Sequence, residues 1–382
     1  MVRYFFALQG TKKYSRDKKE PLSNYLKEVR GLHLDTKTLD LEKMIEIQKK
    51  IVPEVAEMLL ERYNILRFIH YNQPIGRRSL SNVMGLGERI IRSEVNFLKE
   101  QDFIEIRAEG MNTTQNGENT LEMLRSIIHS FKGLSNLEEE VLKKLGIRKV
   151  MIIPGLEKTN HVVLKEIGRV AGNYLKSIIK PDMVIGVTGG DTMAMLAEEM
   201  IDEPSKNLNI TVVPGRGGMG REVEKQANTI AAKIAKKLKV SYKLLHMPDN
   251  ISKDLLMSLS EDPSIKEVMD YLQRIDIFIF GIGRADTLAR RRELDEKVID
   301  LLKKKGAVAE AFGYYFDKQG SIVYEVNTVG VRLEHYKRLR NVVGAAAGED
   351  KAEAIIAFSR LNKNLVLTID EGLAKEIIKY EY

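Results

Sequence analysis

Two glycine-rich corners, VTGGDT at 187–192 and PGRGGMG at 214–220, each stand between a short apolar run and a helical pattern. Glycine lets a backbone approach a ligand closely. The start of a helix offers unpaired N–H groups at the positive end of its dipole, so such corners suit anions. At the first corner Thr188 and Thr192 add hydroxyl donors beside Gly189 and Gly190, and Asp191 opens the helix. In the bland reading the two glycines only make a turn and Asp191 only caps its helix. The second corner holds G-x-G-x-x-G as Gly215, Gly217 and Gly220, with Gly218 between them. Alone this is a weak dinucleotide signal. The acidic residue that would hold a ribose hydroxyl is missing, since the next strand ends KLLHMPDN. Arg216, inside the corner, is instead placed to meet a phosphate. Gln226, Arg291, Glu310 and Lys351 fall at later loops as candidate partners. Cations suit a second phosphate, while Gln and Glu suit sugar hydroxyls. Arg291 sits in ARRREL, where an exposed basic helix face is the alternative. Together the corners predict a site for a phosphorylated small molecule.

Other chemistries find little support. The absence of GxxxxGK[ST] argues against a Walker-type nucleotide site. The six histidines (His33, His70, His129, His161, His246 and His335) show no metal-ligand spacing, and no metal is predicted. His246 is predicted to end a strand and could do acid–base work, but no partner or nucleophile accompanies it. With no cysteine there is no disulfide framework, Cys-ligated zinc or thiol nucleophile, which is compatible with a predicted cytoplasmic location.

A second cluster lies at 74–113. PIGRRSLSNVMG predicts a short helix ended by Gly85, LG a tight turn, and ERIIRSEVNFLKEQ a second helix. DFIEIRAEGMNTT predicts two short strands around a Glu109-Gly110 turn. In the second helix Ile91, Val95 and Leu98 form one stripe, and Glu88, Arg89, Arg92, Ser93 and Asn96 take the other side. Arg77, Arg78 and Ser79 open the preceding helix. Arginine grips phosphate or reads guanine edges, Asn pairs with adenine, and Ser suits phosphate contacts. This order of elements is the winged helix-turn-helix arrangement, which predicts double-stranded operator DNA as a partner. A helical packing module with solvated arginines is the structural alternative.

The elements that position these clusters follow from the rest of the chain. Its 382 residues are 43% hydrophobic and 30% charged, with net charge +7 and no apolar stretch long enough to cross a bilayer. Residues 1–40 hold nine basic and five acidic residues and little core-forming pattern, so a disordered, dispensable leader is predicted, with a DNA-touching basic arm as the alternative. From Leu41 to His70 apolar residues recur at helical steps, divided by Pro53. TTQNGEN marks a boundary, and 118–145 reads as two amphipathic helices, a linker and pairing surface. After Lys149 the runs VMII, MVIGV, ITVV, YKLLHM, IFIFGIG, VVGAAAG and LVLTID alternate with helical stretches such as 160–179, 223–238 and 371–379. Such alternation predicts a doubly wound, largely parallel α/β sheet, interrupted by a hairpin at FDKQGSIVYEV. The resulting division is a leader at 1–40, a DNA-binding domain at 41–115, a helical linker at 116–148 and an effector domain at 149–382.

From about residue 44 to the end the sequence resembles the SorC sugar-binding family of bacterial transcriptional regulators. The likeness rests on QPIGRRSLS, EVNFLKEQ, VTGG, RGGMG…QANTIAAKIA, EDPSIKEVM, GIGRADTLARRR, EAFGYYF and DKAEAI, occurring in family order. It implies a non-enzymatic repressor of a glycolytic operon with a sugar-phosphate-isomerase-like, Rossmann-type effector domain. The implied effector is fructose 1,6-bisphosphate or a related sugar phosphate, and no other cofactor is implied. By match of motif, Thr188, Gly189, Gly190 and Thr192 would surround one phosphate. Arg216, Gly217, Gly218, Gln226, Arg291, Glu310 and Lys351 would contact the rest of the ligand. Asp191 departs from the threonine that the resemblance implies at this position, and a carboxylate beside a phosphate is unfavourable unless it turns outward to cap the helix. A two-fold operator would suit a homodimer or homotetramer, with no membrane partner. Two alternatives stay open: a sugar-phosphate isomerase or deaminase with an accessory domain, and a redox-sensing repressor that binds a dinucleotide at 215–220.

Overall fold

The computed structural model describes residues 47–48, 50–155, 162–202, 208–218, 222–247 and 253–381. The leader prediction and Gly220 lie outside the described residues.

Helix α1 (Pro53–Asn72) starts with proline at its first position, where the missing N–H has no intrahelical partner to lose. Helix α2 (Arg77–Met84) ends at Gly85, whose φ of 64° is the left-handed cap that glycine adopts without strain. After the 85–87 turn comes α3 (Glu88–Glu100). Its stripe of Ile91, Val95 and Leu98 is buried against Leu80 of α2 and Tyr63, Leu66 and Ile69 of α1. Strands β1 (Ile104–Ile106) and β2 (Met111–Thr113) pair antiparallel, and Ile75 adds a bridge to Met111. Helix α4 (Gln115–Phe131) is capped by the Thr114 hydroxyl, which accepts the Gly117 N–H at 3.0 Å. Leu121 and Ile128 of α4 join this same core, whereas Leu134, Val141 and Leu145 of α5 (Leu134–Leu145) join the core of the sheet that follows.

That sheet holds β3 (Lys149–Ile153), β4 (Val184–Val187), β5 (Thr211–Pro214), β6 (Ser241–Tyr242), β7 (Ile277–Gly281), β12 (Asn341–Ala346) and β13 (Leu365–Asp370), all parallel. Their spatial order is β3-β13-β12-β7-β4-β5-β6. Helices α6 (Val162–Ile178), α7 (Asp191–Glu199) and α8 (Ala227–Leu238) cover one face. The other is covered by α5, α10 (Pro263–Gln273), α13 (Leu333–Arg338), α14 (Ala352–Ser359) and α15 (Glu371–Lys379). Two-sided burial is why the central strands are nearly continuously apolar: in β7, Ile277 and Ile279 enter one core while Phe278 and Phe280 enter the other. Helix α9 (Lys253–Ser260) precedes α10.

Two sequence expectations are corrected and a third is extended. Of YKLLHM only Tyr242 is in a strand, Ser241–Tyr242, so His246 does not end a strand. The predicted helix 223–238 is broken: a 3₁₀ turn at Val223–Lys225 precedes α8, because Gln226 is extended and Lys225 C=O accepts the Gly190 N–H at 2.9 Å. The hairpin β10 (Tyr314–Phe316) and β11 (Ile322–Glu325) belongs to a larger antiparallel sheet, ordered β11-β10-β9-β8. Its other strands, β8 (Gly283–Arg284) and β9 (Ala309–Ala311), are too short to show an alternating pattern. Helices α11 (Ala285–Arg291) and α12 (Glu296–Lys304) lie between them.

Candidate effector site and nucleic-acid interface

The strand order reverses between β4 and β7, since the chain runs outward from β4 to β5 and β6 and from β7 to β12 and β13. In open α/β sheets the crevice at the carboxyl ends of such strands is where ligands bind. A cavity of about 190 Å³ lies there. Thr188, Gly189, Gly190 and Thr192 line it from the β4–α7 corner, and Arg216 and Gly217 from the end of β5. Gln226 before α8, Arg291 at the end of α11, Glu310 on β9 and Lys351 after β12 complete the predicted set. Gly218 is not among the lining residues; its N–H donates to Met247 C=O at 2.9 Å and its position behind Gln226 shapes the loop.

Backbone packing explains both glycines of the first corner. A Cβ on Gly189 would stand 2.5 Å from Lys225 C=O, and Gly190 has φ 115°. Gly190 is the N-cap of α7, with no side-chain cap, and Asp191, Thr192 and Met193 of its first turn line the cavity. Those N–H groups have no intrahelical carbonyl to pair with. Thr188 is tied to β7, its N–H donating to Ile279 C=O at 3.1 Å and its hydroxyl accepting the Gly281 N–H at 3.3 Å.

Among the described residues five cations line the cavity, Arg216, Lys225, Arg284, Arg291 and Lys351, against the carboxylates Asp191, Glu310 and Asp350. Lys225 reaches Asp191 at 2.6 Å and also pairs with Glu222. Arg291 reaches Asp191 at 3.1 Å and Glu222 at 3.3 Å. Arg284 pairs with Asp286 at 2.7 Å and Asp350 at 3.0 Å. The capping role anticipated for Asp191 is therefore wrong: its carboxylate faces two cations, while the N-cap is Gly190. Burial works to raise the Asp191 carboxyl, but Lys225 and Arg291 outweigh it and hold it below its ordinary range.

Arg216 and Glu310 are both buried and stand 3.5 Å apart. Glu310 also pairs with Arg292 and accepts the Gly313 N–H at 2.8 Å. Arg216 thus has a structural partner as well as a place in the cavity, and its backbone pairs with Gly330. His246 is exposed and is not a lining residue. Lys225, Arg284 and Asp350 carry weak sequence signals as site residues. Arg284 has the clearest, because it follows the apolar run IFIFGIG, at the end of β8.

On the helical part, Arg77, Arg78, Ser79, Glu88, Arg89, Arg92, Ser93 and Asn96 are all exposed. Arg77, Arg78, Glu88 and Arg92 surround one surface depression, with Arg78 4.0 Å from Glu88. The hairpin adds Arg107 near its tip, paired with Glu105 at 2.5 Å. A recognition helix with one buried stripe, an arginine-rich free side and a two-strand wing can dock on a duplex groove.

Residues 58–128 match the family model described as "CggR N-terminal DNA binding domain", and residues 129–379 match the one described as "Putative sugar-binding domain". The chain is 39% identical to the Central glycolytic genes regulator of Priestia megaterium, over 89% of this chain and 99% of the relative. It is 37% identical to the protein of the same name from Bacillus subtilis, over 89% of this chain and 100% of the relative. Among solved structures it is similar to "the putative SorC family transcriptional regulator from Enterococcus faecalis", with TM-score 0.61 and 36% identity over 64% of this chain and 100% of that one. Matched through both its helical and its sheet-containing parts, the chain belongs to the SorC family of sugar-binding transcriptional regulators.

Proposed function

We propose that this regulator represses central glycolytic genes and that a phosphorylated sugar, fructose 1,6-bisphosphate or a close relative, sets its grip on operator DNA. The observation that carries the reading is the cation-lined cavity at the reversal of strand order, with the open first turn of α7 at its edge. The start of α7 with Thr188 and Thr192 suits one phosphate, and Lys351, Arg216 and Arg284 suit another. Gln226 and Glu310 face the sugar hydroxyls. The relatives named as regulators of central glycolytic genes support the choice of operon, and the match to a sugar-binding domain supports a sugar ligand. The exposed arginine face of α2 and α3, with Asn96, contacts the operator, and a homodimer or homotetramer matches its symmetry.

The cavity binds and does not turn over its ligand. Each lining carboxylate is held by a cation, Asp191 by Lys225 and Arg291, Glu310 by Arg216 and Arg292, and Asp350 by Arg284. For Asp191 this pairing holds the carboxyl below its ordinary range, which makes it a poor proton acceptor at neutral pH. Calorimetric titration with fructose 1,6-bisphosphate, fructose 6-phosphate and NADH, with and without operator DNA, tests the reading. The sugar phosphates bind, NADH does not, and the bisphosphate binds free and DNA-bound protein with different affinities, since coupling is reciprocal. Heat from NADH alone, or equal affinities in both states, overturns it.

A further inference from the structure

Asp191, Glu222, Lys225 and Arg291 form a closed quartet at the lip of the cavity. Lys225 meets both carboxylates, and Arg291 meets the same two. The quartet is neutral as a unit, so its two cations are already satisfied before any ligand arrives. Asp191 is the member at the first position of α7, where an incoming phosphate gains most from the open N–H groups and from the helix dipole. Its side chain is half exposed, so it can swing away without unfolding the helix. A ligand phosphate must therefore either share this lip with a fixed negative charge or displace that charge from Lys225 and Arg291.

We infer that Asp191 is a built-in competitor for the ligand's phosphate: it holds Lys225 and Arg291 in the empty site, and binding proceeds by carboxylate-for-phosphate exchange. This rests on the proposed reading of the cavity as a sugar-phosphate site. Two consequences follow from the geometry. Lys225, which no sequence motif singles out, becomes a ligand contact once Asp191 releases it. The competitor also lowers affinity, which raises the ligand concentration at which the regulator responds. A carboxylate that served only to position Lys225 and Arg291 would act in the opposite direction, because its removal would let both side chains wander.

The experiment is calorimetric titration of the full chain with fructose 1,6-bisphosphate and, separately, with inorganic phosphate, for the wild type, Asp191→Asn, Asp191→Thr and Lys225→Ala. Thermal unfolding without ligand checks that each variant folds. Both Asp191 variants bind the bisphosphate about tenfold or more tightly than the wild type, a change of ~1.4 kcal/mol. Their ligand-free melting temperatures fall slightly, because two ion pairs are lost. Lys225→Ala binds about tenfold more weakly. Equal or weaker binding by both Asp191 variants, with the wild type still binding, overturns the competitor role and leaves the cavity assignment standing. No binding of either probe by any of the four proteins overturns both.

Discussion

Arg67 of α1 stands 2.5 Å from Glu166 of α6, with side-chain exposures of 2% and 3%. The pair joins the part that matches a DNA-binding domain to the part that matches a sugar-binding domain. Arg125 of α4 approaches the same carboxylate at 3.4 Å, the Tyr63 hydroxyl donates to it at 3.5 Å, and Arg67 also donates to Pro154 C=O at 3.1 Å. Lys165 adds a bond from its ammonium to Tyr71 C=O at 2.5 Å. This seam lies on α6, whose Ala171 and Leu175 share a core with Met193 and Leu196 of α7, the helix that opens into the cavity. Burial with Glu166 nearby pushes the Tyr71 hydroxyl up to about 12, so it remains a neutral donor or acceptor in the seam.

Removing one member of a buried ion pair strands the other, whereas replacing both with apolar residues is far milder. Glu166→Ala leaves Arg67 buried without its carboxylate and costs about 3–5 kcal/mol. The double change Arg67→Met with Glu166→Leu costs less than that single change. Urea unfolding of the wild type, Glu166→Ala and the double variant decides it, and a double change that costs as much as or more than Glu166→Ala would show that the two side chains do not act as a pair.

Arg216→Ala weakens binding of fructose 1,6-bisphosphate by ~1.5–3 kcal/mol, the value of a hydrogen bond to a charged group. The fold survives, because Glu310 keeps Arg292 and the Gly313 N–H. Calorimetric titration gives the affinity and thermal unfolding gives the fold. Unchanged ligand affinity removes Arg216 from the site.

Arg89→Ala, Arg92→Ala and Asn96→Ala weaken operator binding, by ~1–3 kcal/mol where the side chain reads a base. A base-reading side chain also relaxes sequence preference when removed, while a phosphate-gripping one weakens all duplexes alike and lowers the salt dependence. Fluorescence anisotropy with operator and scrambled duplexes at several salt concentrations separates these. If the triple variant binds operator like the wild type, this face does not dock on DNA.

Glu371 at the start of α15 predicts an acid-sensitive step. Burial alone would raise its carboxyl, but Lys132, Lys375 and the Gly155 N–H outweigh it and hold it at about 2, below the ordinary 4.5. The unfolded chain therefore binds this proton first as pH falls. The stabilisation is complete above about pH 4.5 and is lost as pH drops towards 2. In Glu371→Gln the urea midpoint is lower at neutral pH and falls less steeply through that window. Parallel pH profiles for the two proteins would assign the acid sensitivity elsewhere.

The sequence by itself determined what depends on neighbours a few residues apart. The spacing of Ile91, Val95 and Leu98 specified which side of α3 is buried and so which side holds Arg89, Arg92 and Asn96. Gly85 ended α2, and the glycine corners followed β4 and β5 as their local patterns required. Only the tertiary structure decided which charges meet. Asp191 and Arg291 are 100 residues apart, and Arg216 and Glu310 are 94 apart. These partners come together because β4 lies beside β7 and the short antiparallel strands fold back over the end of β7. Strand order is a property of the whole packed sheet, set by burying two continuous cores at once, and no periodicity along the chain records it. For that reason the sequence pointed to a phosphate site at the corners but not to the carboxylates that already occupy its cations.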